Sequence, residues 1–176
     1  MAKKVAAKKK TTRKKKAVAL AAKDRKTLAA LRTLGDGIVR ITKRHHAPYM
    51  DIPSRSLRNV RYNKSKRFIE MGKGTNRREL FNLAQAKAYM QTVLVASGCQ
   101  QLVEQKKTTS IRGLYYLLKH TIQGTKEETF DDQSDCDPVI EDVEVMLSAL
   151  REELHVYASN RGTLVGNLTV IDSGDQ

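Results

Sequence analysis

The sequence predicts an α+β fold that is mainly helical, and three observations carry the prediction. Apolar residues recur at intervals of three and four over long stretches, as they do along one face of an α-helix. Between two such stretches lie prolines and short β-favouring runs, and HVYASNRGTLVGNLTVID near the end reads as two strands around a turn at Ser159–Gly162. With 176 residues the chain can bury a core of its own, and with 5% aromatic residues that core must be aliphatic.

Taken in order, MAKKVAAKKKTTRKKK (Met1–Lys16) carries nine Lys/Arg and no acid and is predicted to be a disordered basic tail. From Ala17 to about Lys43 the spacing of Leu28, Leu31, Leu34, Ile38 and Ile41 predicts a helix, with Gly35 and Gly37 as points of interruption. Pro48 and Pro53 exclude helix, and the chain after them pairs as short strands with Arg67–Met71 across an Asn63–Lys66 turn. Residues 17–75 thus form an amino-terminal helix and β arm. Asn82 opens a second long helix through Ala86, Met90, Val93 and Leu94 to about Gln105, and Ser110 caps a third. Asp137 and Pro138 stand in the favoured order of cap and first-turn proline, so a fourth helix is predicted from there through Val143, Met146, Leu147 and Leu150 to about Leu154. Helices followed by a hairpin are the order of a winged-helix (CAP-like) domain, here residues 76–172, with 173–176 beginning a linker. That architecture serves both DNA binding and protein interaction, so it does not settle function.

The capped third helix, TSIRGLYYLLKH, holds two adjacent tyrosines. Ile111, Leu114, Tyr115 and Leu118 make one apolar stripe, which assigns Tyr115 to the core. Tyr116 is rotated by about 100° from it, beside Arg112, Lys119 and His120. A phenol is a poor nucleophile at neutral pH, and neighbouring cations favour the phenolate and can hold a phosphate. The plainer alternative is an amphipathic helix whose second tyrosine keeps its hydroxyl in water.

The formal charge of +14 is unevenly spread. Residues 17–125 carry 21 basic and 6 acidic side chains, whereas residues 126–176 carry 3 and 13. A positive excess of this extent points to a polyanion, with duplex DNA first. Arg55, Arg58, Lys119 and His120 are the candidate contacts in the body of the chain, with Lys8, Lys9, Lys10, Lys14, Lys15 and Lys16 in the tail. Cys99 and Cys136 lack the CxxC spacing of a zinc site and read as buried or incidental thiols in a reducing compartment. The carboxylates of Glu127–Glu144 lack ligand spacing, so no metal site is predicted. No apolar run is long enough to span a bilayer and the lysine-rich start lacks the apolar stretch of a secretory signal, so the chain is predicted to be soluble, without a membrane partner, and cytoplasmic on chromosomal or nucleoid DNA.

Five blocks carry a more specific signal: DIPSRSLRNVRY, NLAQAKAYMQTVLVAS, KTTSIRGLYYLLKHTIQGTKEETFDDQ, IEDVEVMLSALREELHVYAS and GTLVGNLTVIDSGD. Together they resemble the amino-terminal half of the DNA topoisomerase VI A-subunit family, which includes the meiotic double-strand-break transesterase. The resemblance covers about residues 24–175 in order, and its most specific part is the Arg-x-x-Tyr-Tyr cluster inside a Ser/Thr-capped helix. It implies a winged helix in which Tyr116 is the catalytic tyrosine, attacking a DNA phosphodiester to leave a 5′-phosphotyrosyl bond, with Arg112 offsetting charge on phosphorus. It also implies magnesium held by a Toprim domain, a B-type subunit that hydrolyses ATP, and a homodimer.

The sequence departs from the family at three places. Gly113 stands where an acidic residue is usual, which gives up a capping-box bond and costs about 1 kcal/mol of helix stability. Asn167 replaces a usual proline. After IDSGDQ no Toprim domain follows in these 176 residues, so magnesium ligands are expected outside them, with that half cut away, encoded separately and acting in trans, or lost. The rival reading is a winged-helix DNA-binding or architectural protein of the same descent that performs no chemistry.

Overall fold

The computed structural model describes residues 21–158 and Gly166. Helix α1 (Ala22–Lys43) buries Leu28 and Leu31 and runs through both of its glycines. Neither interrupts it: the helix is continuous from Ala22 to Lys43. Strand β1 (Tyr49–Pro53) follows Pro48, and after a 3₁₀ turn (Leu57–Asn59) come β2 (Val60–Asn63) and β3 (Phe68–Met71), paired antiparallel as predicted. Asn63 holds the turn between them, its Oδ1 accepting from the N–H groups of Ser65 and Lys66 at 3.1 Å each. A pairing that local pattern did not announce joins β1 to β4 (Thr75–Glu79). In it Met50 and Ile52 alternate inward and pack with Tyr89 in a small second core.

Helix α2 (Leu83–Gln105) is the central element. Asn82 caps it, its side chain accepting from the Ala84 N–H at 3.1 Å. Val95, Cys99 and Val103 have no exposed surface, and the main core gathers around them from Leu31, Leu114, Tyr115, Phe130, Val143 and Leu154. Gly98 lets the next helix approach, since a Cβ there would lie 3.1 Å from a Leu118 methyl and 3.3 Å from one of Leu114. That helix is α3 (Ile111–Leu118), preceded by β5 (Thr109–Ser110), which pairs in parallel with β6 (Val156–Tyr157).

Helix α4 (Gln133–Leu147) begins earlier than Asp137 and Pro138 suggested. Asp132 occupies the cap position, and the Asp135 carboxylate accepts from its N–H at 3.2 Å, which fixes the start of the helix ahead of the proline. Pro138 lies inside the helix at the cost of one backbone bond. The helix also ends sooner than predicted. Ser148 turns left-handed with φ of 49°, and Arg151–Leu154 form a separate 3₁₀ turn that buries Leu154 and leaves Leu150 exposed. The Ser159–Gly162 turn of the predicted hairpin, the basic tail and the linker at 173–176 lie outside the described residues.

Candidate active site

Three features of local sequence aim α3. Ser110 Oγ accepts from the Gly113 N–H at 2.9 Å, fixing the first turn. Leu114, Tyr115 and Leu118 sink into the core, which sets the rotation of the helix. Tyr116, the next residue round, is left 59% exposed. The two rings remain neighbours, their centroids 5.0 Å apart at 56°.

Arg112 lies one turn before Tyr116 and engages it twice. Its Nη2 donates to the Tyr116 hydroxyl oxygen at 3.2 Å, and its guanidinium carbon stands 5.6 Å from the ring centroid. The same hydrogen bond pushes the Arg112 pKa above its ordinary value, so the cation is permanent. The pair forms an accessible phenol oxygen held against a fixed positive charge, the arrangement a nucleophile for phosphorus requires.

The other predicted contacts are placed differently. Lys119 turns to the Tyr115 side, where its Nζ donates to the Tyr115 hydroxyl at 3.0 Å and to the Asp131 carbonyl at 3.1 Å and pairs with Glu128 at 2.7 Å. Its pKa is raised, first by Glu128 and then by Tyr115. The Tyr115 hydroxyl in turn donates to the Asp131 carbonyl at 3.2 Å. Asp131 and Glu128 thus fix the underside of the site, and no spacing in the sequence announces them because they reach it from the connection between α3 and α4. His120 Nδ1 is 2.9 Å from the Leu118 carbonyl oxygen, and its ring is exposed. Arg55 is drawn away from α3 into a clamp with Glu141 and Asp142 and donates to the Pro138 carbonyl at 3.3 Å. Arg58 is exposed on the 3₁₀ turn after β1, and the tail lysines Lys8, Lys9, Lys10, Lys14, Lys15 and Lys16 lie outside the described residues.

Gly113 has a local reason. A Cβ at this position would come within 2.4 Å of Thr109 Oγ1 and 3.2 Å of Ser110 Oγ, so the space a side chain needs is filled by the two hydroxyls at the head of the helix.

Residues 87–156, from the first turns of α2 to β6, match the family described as type IIB DNA topoisomerase. The span includes both Arg112 and Tyr116. Over 151 residues the chain is 41% identical to the A subunit of type 2 DNA topoisomerase 6 from Pyrococcus horikoshii, covering 86% of this chain and 40% of that protein. It is 33% identical over 158 residues to the protein of the same name from Hyperthermus butylicus, covering 86% of this chain and 41% of that protein. The chain belongs to the type IIB DNA topoisomerase family. It spans about 40% of the length of these curated relatives. The magnesium implied for type IIB topoisomerases finds no group of three or more His, Cys, Asp or Glu side chains to hold it among the described residues. These residues do not fit that ion. Among the described residues no helix is long and apolar enough to cross a membrane.

Proposed function

We propose that this chain is the tyrosine-bearing part of the A subunit of a topoisomerase VI, an enzyme of the ATP-hydrolysing type II class, and that Tyr116 breaks duplex DNA by transesterification. One observation carries the reading: the exposed Tyr116 hydroxyl receives the Arg112 guanidinium at 3.2 Å, on a helix whose other aromatic is locked in the core. In the reaction a bond forms between the Tyr116 oxygen and phosphorus while the bond from phosphorus to the 3′-oxygen breaks. The phenol loses one proton and the departing 3′-oxygen gains one, so the step neither consumes nor releases charge. The new phosphodiester keeps the energy of the old one, and reversal reseals the strand. Arg112 stays positive throughout and offsets charge on the pentacovalent phosphorus.

The proposed setting is a winged helix built on α2, α3 and α4, acting in a homodimer with a B-type ATPase partner and with magnesium supplied by a Toprim domain. His120, Arg58 and the tail lysines are proposed phosphate contacts. Arg55 and Lys119 would have to exchange a carboxylate for a phosphate to join them.

The test uses end-labelled duplex incubated with the chain, with and without ATP, magnesium, a Toprim domain and the B-type ATPase, followed by denaturation and a search for label retained on protein. Label is expected only in the complete mixture and is lost in Tyr116→Phe. Label persisting in Tyr116→Phe would assign the chemistry elsewhere, and no label in the complete mixture would establish the purely DNA-binding alternative.

A further inference from the structure

The β2–β3 hairpin is the least integrated part of the described chain. Its two strands lean on each other and pack little against any other element. An isolated two-stranded ribbon is at best marginally stable in water, so its persistence here needs an anchor. Asn59 supplies one at the base. Its Nδ2 donates to the carbonyls of Ser54 at 2.8 Å and Gly74 at 3.1 Å, and its Oδ1 accepts from the Gly74 N–H at 2.9 Å. Gly72 and Gly74 make room for this knot, because a Cβ on either would fall 2.4 or 2.8 Å from Asn59 Oδ1. The ribbon therefore stands out from the body on a fixed neck.

Its surface is unusual in two respects. Between Leu57 and Gly74 lie Arg58, Arg61, Lys64, Lys66, Arg67 and Lys73 against one carboxylate, Glu70. Glu70 is already taken by Asn63 and Lys66, at 3.0 Å each, and Arg58, Arg61, Lys64, Arg67 and Lys73 have no carboxylate partner among the described residues. The register also places Val60 opposite Met71 and Tyr62 opposite Ile69, so one face is entirely apolar, with Tyr62 60% and Ile69 68% exposed.

We infer that this ribbon is a second duplex-DNA contact, entering a groove with its cations on the flanking phosphates and its apolar face toward sugars and base edges. The charge decides between partners: five cations without a carboxylate on the ribbon and its neck repel one another, and a polyanion relieves that repulsion. The size also fits. Its two strands lie about 4.8 Å apart, and the major groove, about 12 Å wide, admits a two-stranded ribbon. This inference rests on the reading that the chain binds duplex DNA, and it is independent of the chemistry at Tyr116.

The test is binding of the full chain to a fluorescein-labelled duplex across a series of salt concentrations, using Tyr116→Phe as a control that leaves the ribbon alone. The combined variant Arg58→Gln, Arg61→Gln, Arg67→Gln should lower the slope of log affinity on log salt by about 2–3, at about 0.9 per phosphate contact, and weaken binding at least about tenfold near physiological salt. A separate Tyr62→Ser, Ile69→Ser variant should weaken binding several-fold at unchanged slope. Thermal melts of both should match the wild type, since the ribbon carries little of the core. An unchanged slope in the arginine variant overturns the inference. So does a Tyr62→Ser, Ile69→Ser variant that binds DNA normally but changes mass in light scattering, which would make the ribbon a protein-docking face. Failure of the wild type to bind DNA would remove the underlying reading as well, whereas a lowered slope without covalent adduct would remove only the chemistry.

Discussion

Adjacent tyrosines on one helix have been given opposite tasks by a rotation of about 100°. Tyr115 is held at its ring by the core and at its hydroxyl by Asp131 and Lys119. Tyr115→Phe is therefore expected to cost about 1 kcal/mol for the lost hydrogen bonds and Tyr115→Ala about 3 kcal/mol or more for the cavity. Tyr116→Phe, losing only an exposed contact with Arg112, should melt with the wild type. Urea denaturation of the three variants checks the order, and a Tyr116→Phe variant less stable than Tyr115→Phe would contradict it. The thiols make a second residue-scale case. Burial pushes Cys99 up to about 12 and Cys136 likewise up to about 12. An unfolded thiol ionises near about 8.5, so above that pH the unfolded chain sheds protons that the folded chain keeps, and stability falls as pH rises toward 12. Each thiol adds at most about 1.4 kcal/mol per pH unit to that fall. The slope of unfolding free energy between pH 9 and 10 should become shallower in Cys99→Ala.

At the scale of elements, side-chain caps at Asn82 and Ser110 open α2 and α3, and left-handed residues, Lys106 and Ser148, close α2 and α4. The head of α3 is the informative case. Glycine in a helix costs about 1 kcal/mol relative to alanine, but the Gly113 Cβ position lies 2.4 Å from Thr109 Oγ1. Gly113→Ala should thus gain little in the wild type, because Thr109 must rotate, and gain about 1 kcal/mol more when Thr109→Ala removes the hydroxyl. A double-mutant cycle measured by denaturant unfolding gives this coupling, and equal gains in both backgrounds would rule out the steric account. Any side chain larger than hydrogen at this position would meet the hydroxyls of Thr109 and Ser110.

Across the whole molecule, one buried carboxylate ties the β arm to the helical core. Asp142 on α4, 4% exposed, meets Arg78 of β4 at 2.5 Å and Arg55 at 2.9 Å, and Arg78 also donates to Thr92 of α2 at 2.9 Å. Removing one partner of a buried pair strands the other, so Asp142→Ala should cost about 3 kcal/mol. Replacing the Arg78–Asp142 pair, Arg78→Met with Asp142→Leu, should recover most of the loss, because Arg55 keeps Glu141 and an apolar pair of similar volume carries no desolvation cost. Unfolding midpoints of the single and double variants decide the matter. If the double variant is as unstable as the single, the clamp contributes more than mutual neutralisation.

The parts of this protein that its sequence alone determined are those settled within a turn of chain. The stripe of Ile111, Leu114, Tyr115 and Leu118, the caps at Asn82 and Ser110, the Asn63 turn and the outward Tyr116 beside Arg112 all depend on neighbours no more than four or so positions away, where spacing and side-chain chemistry suffice. Even there two cap signals competed, and the Asp132–Asp135 pair prevailed over Asp137 and Pro138. Only the tertiary structure decided the β1–β4 and β5–β6 pairings, the capture of Arg55 by Asp142, and the turning of Lys119 toward Glu128 and Asp131. Each of these joins groups distant in sequence, and a charged side chain takes whichever opposite charge the packed core brings within reach, which no local periodicity encodes.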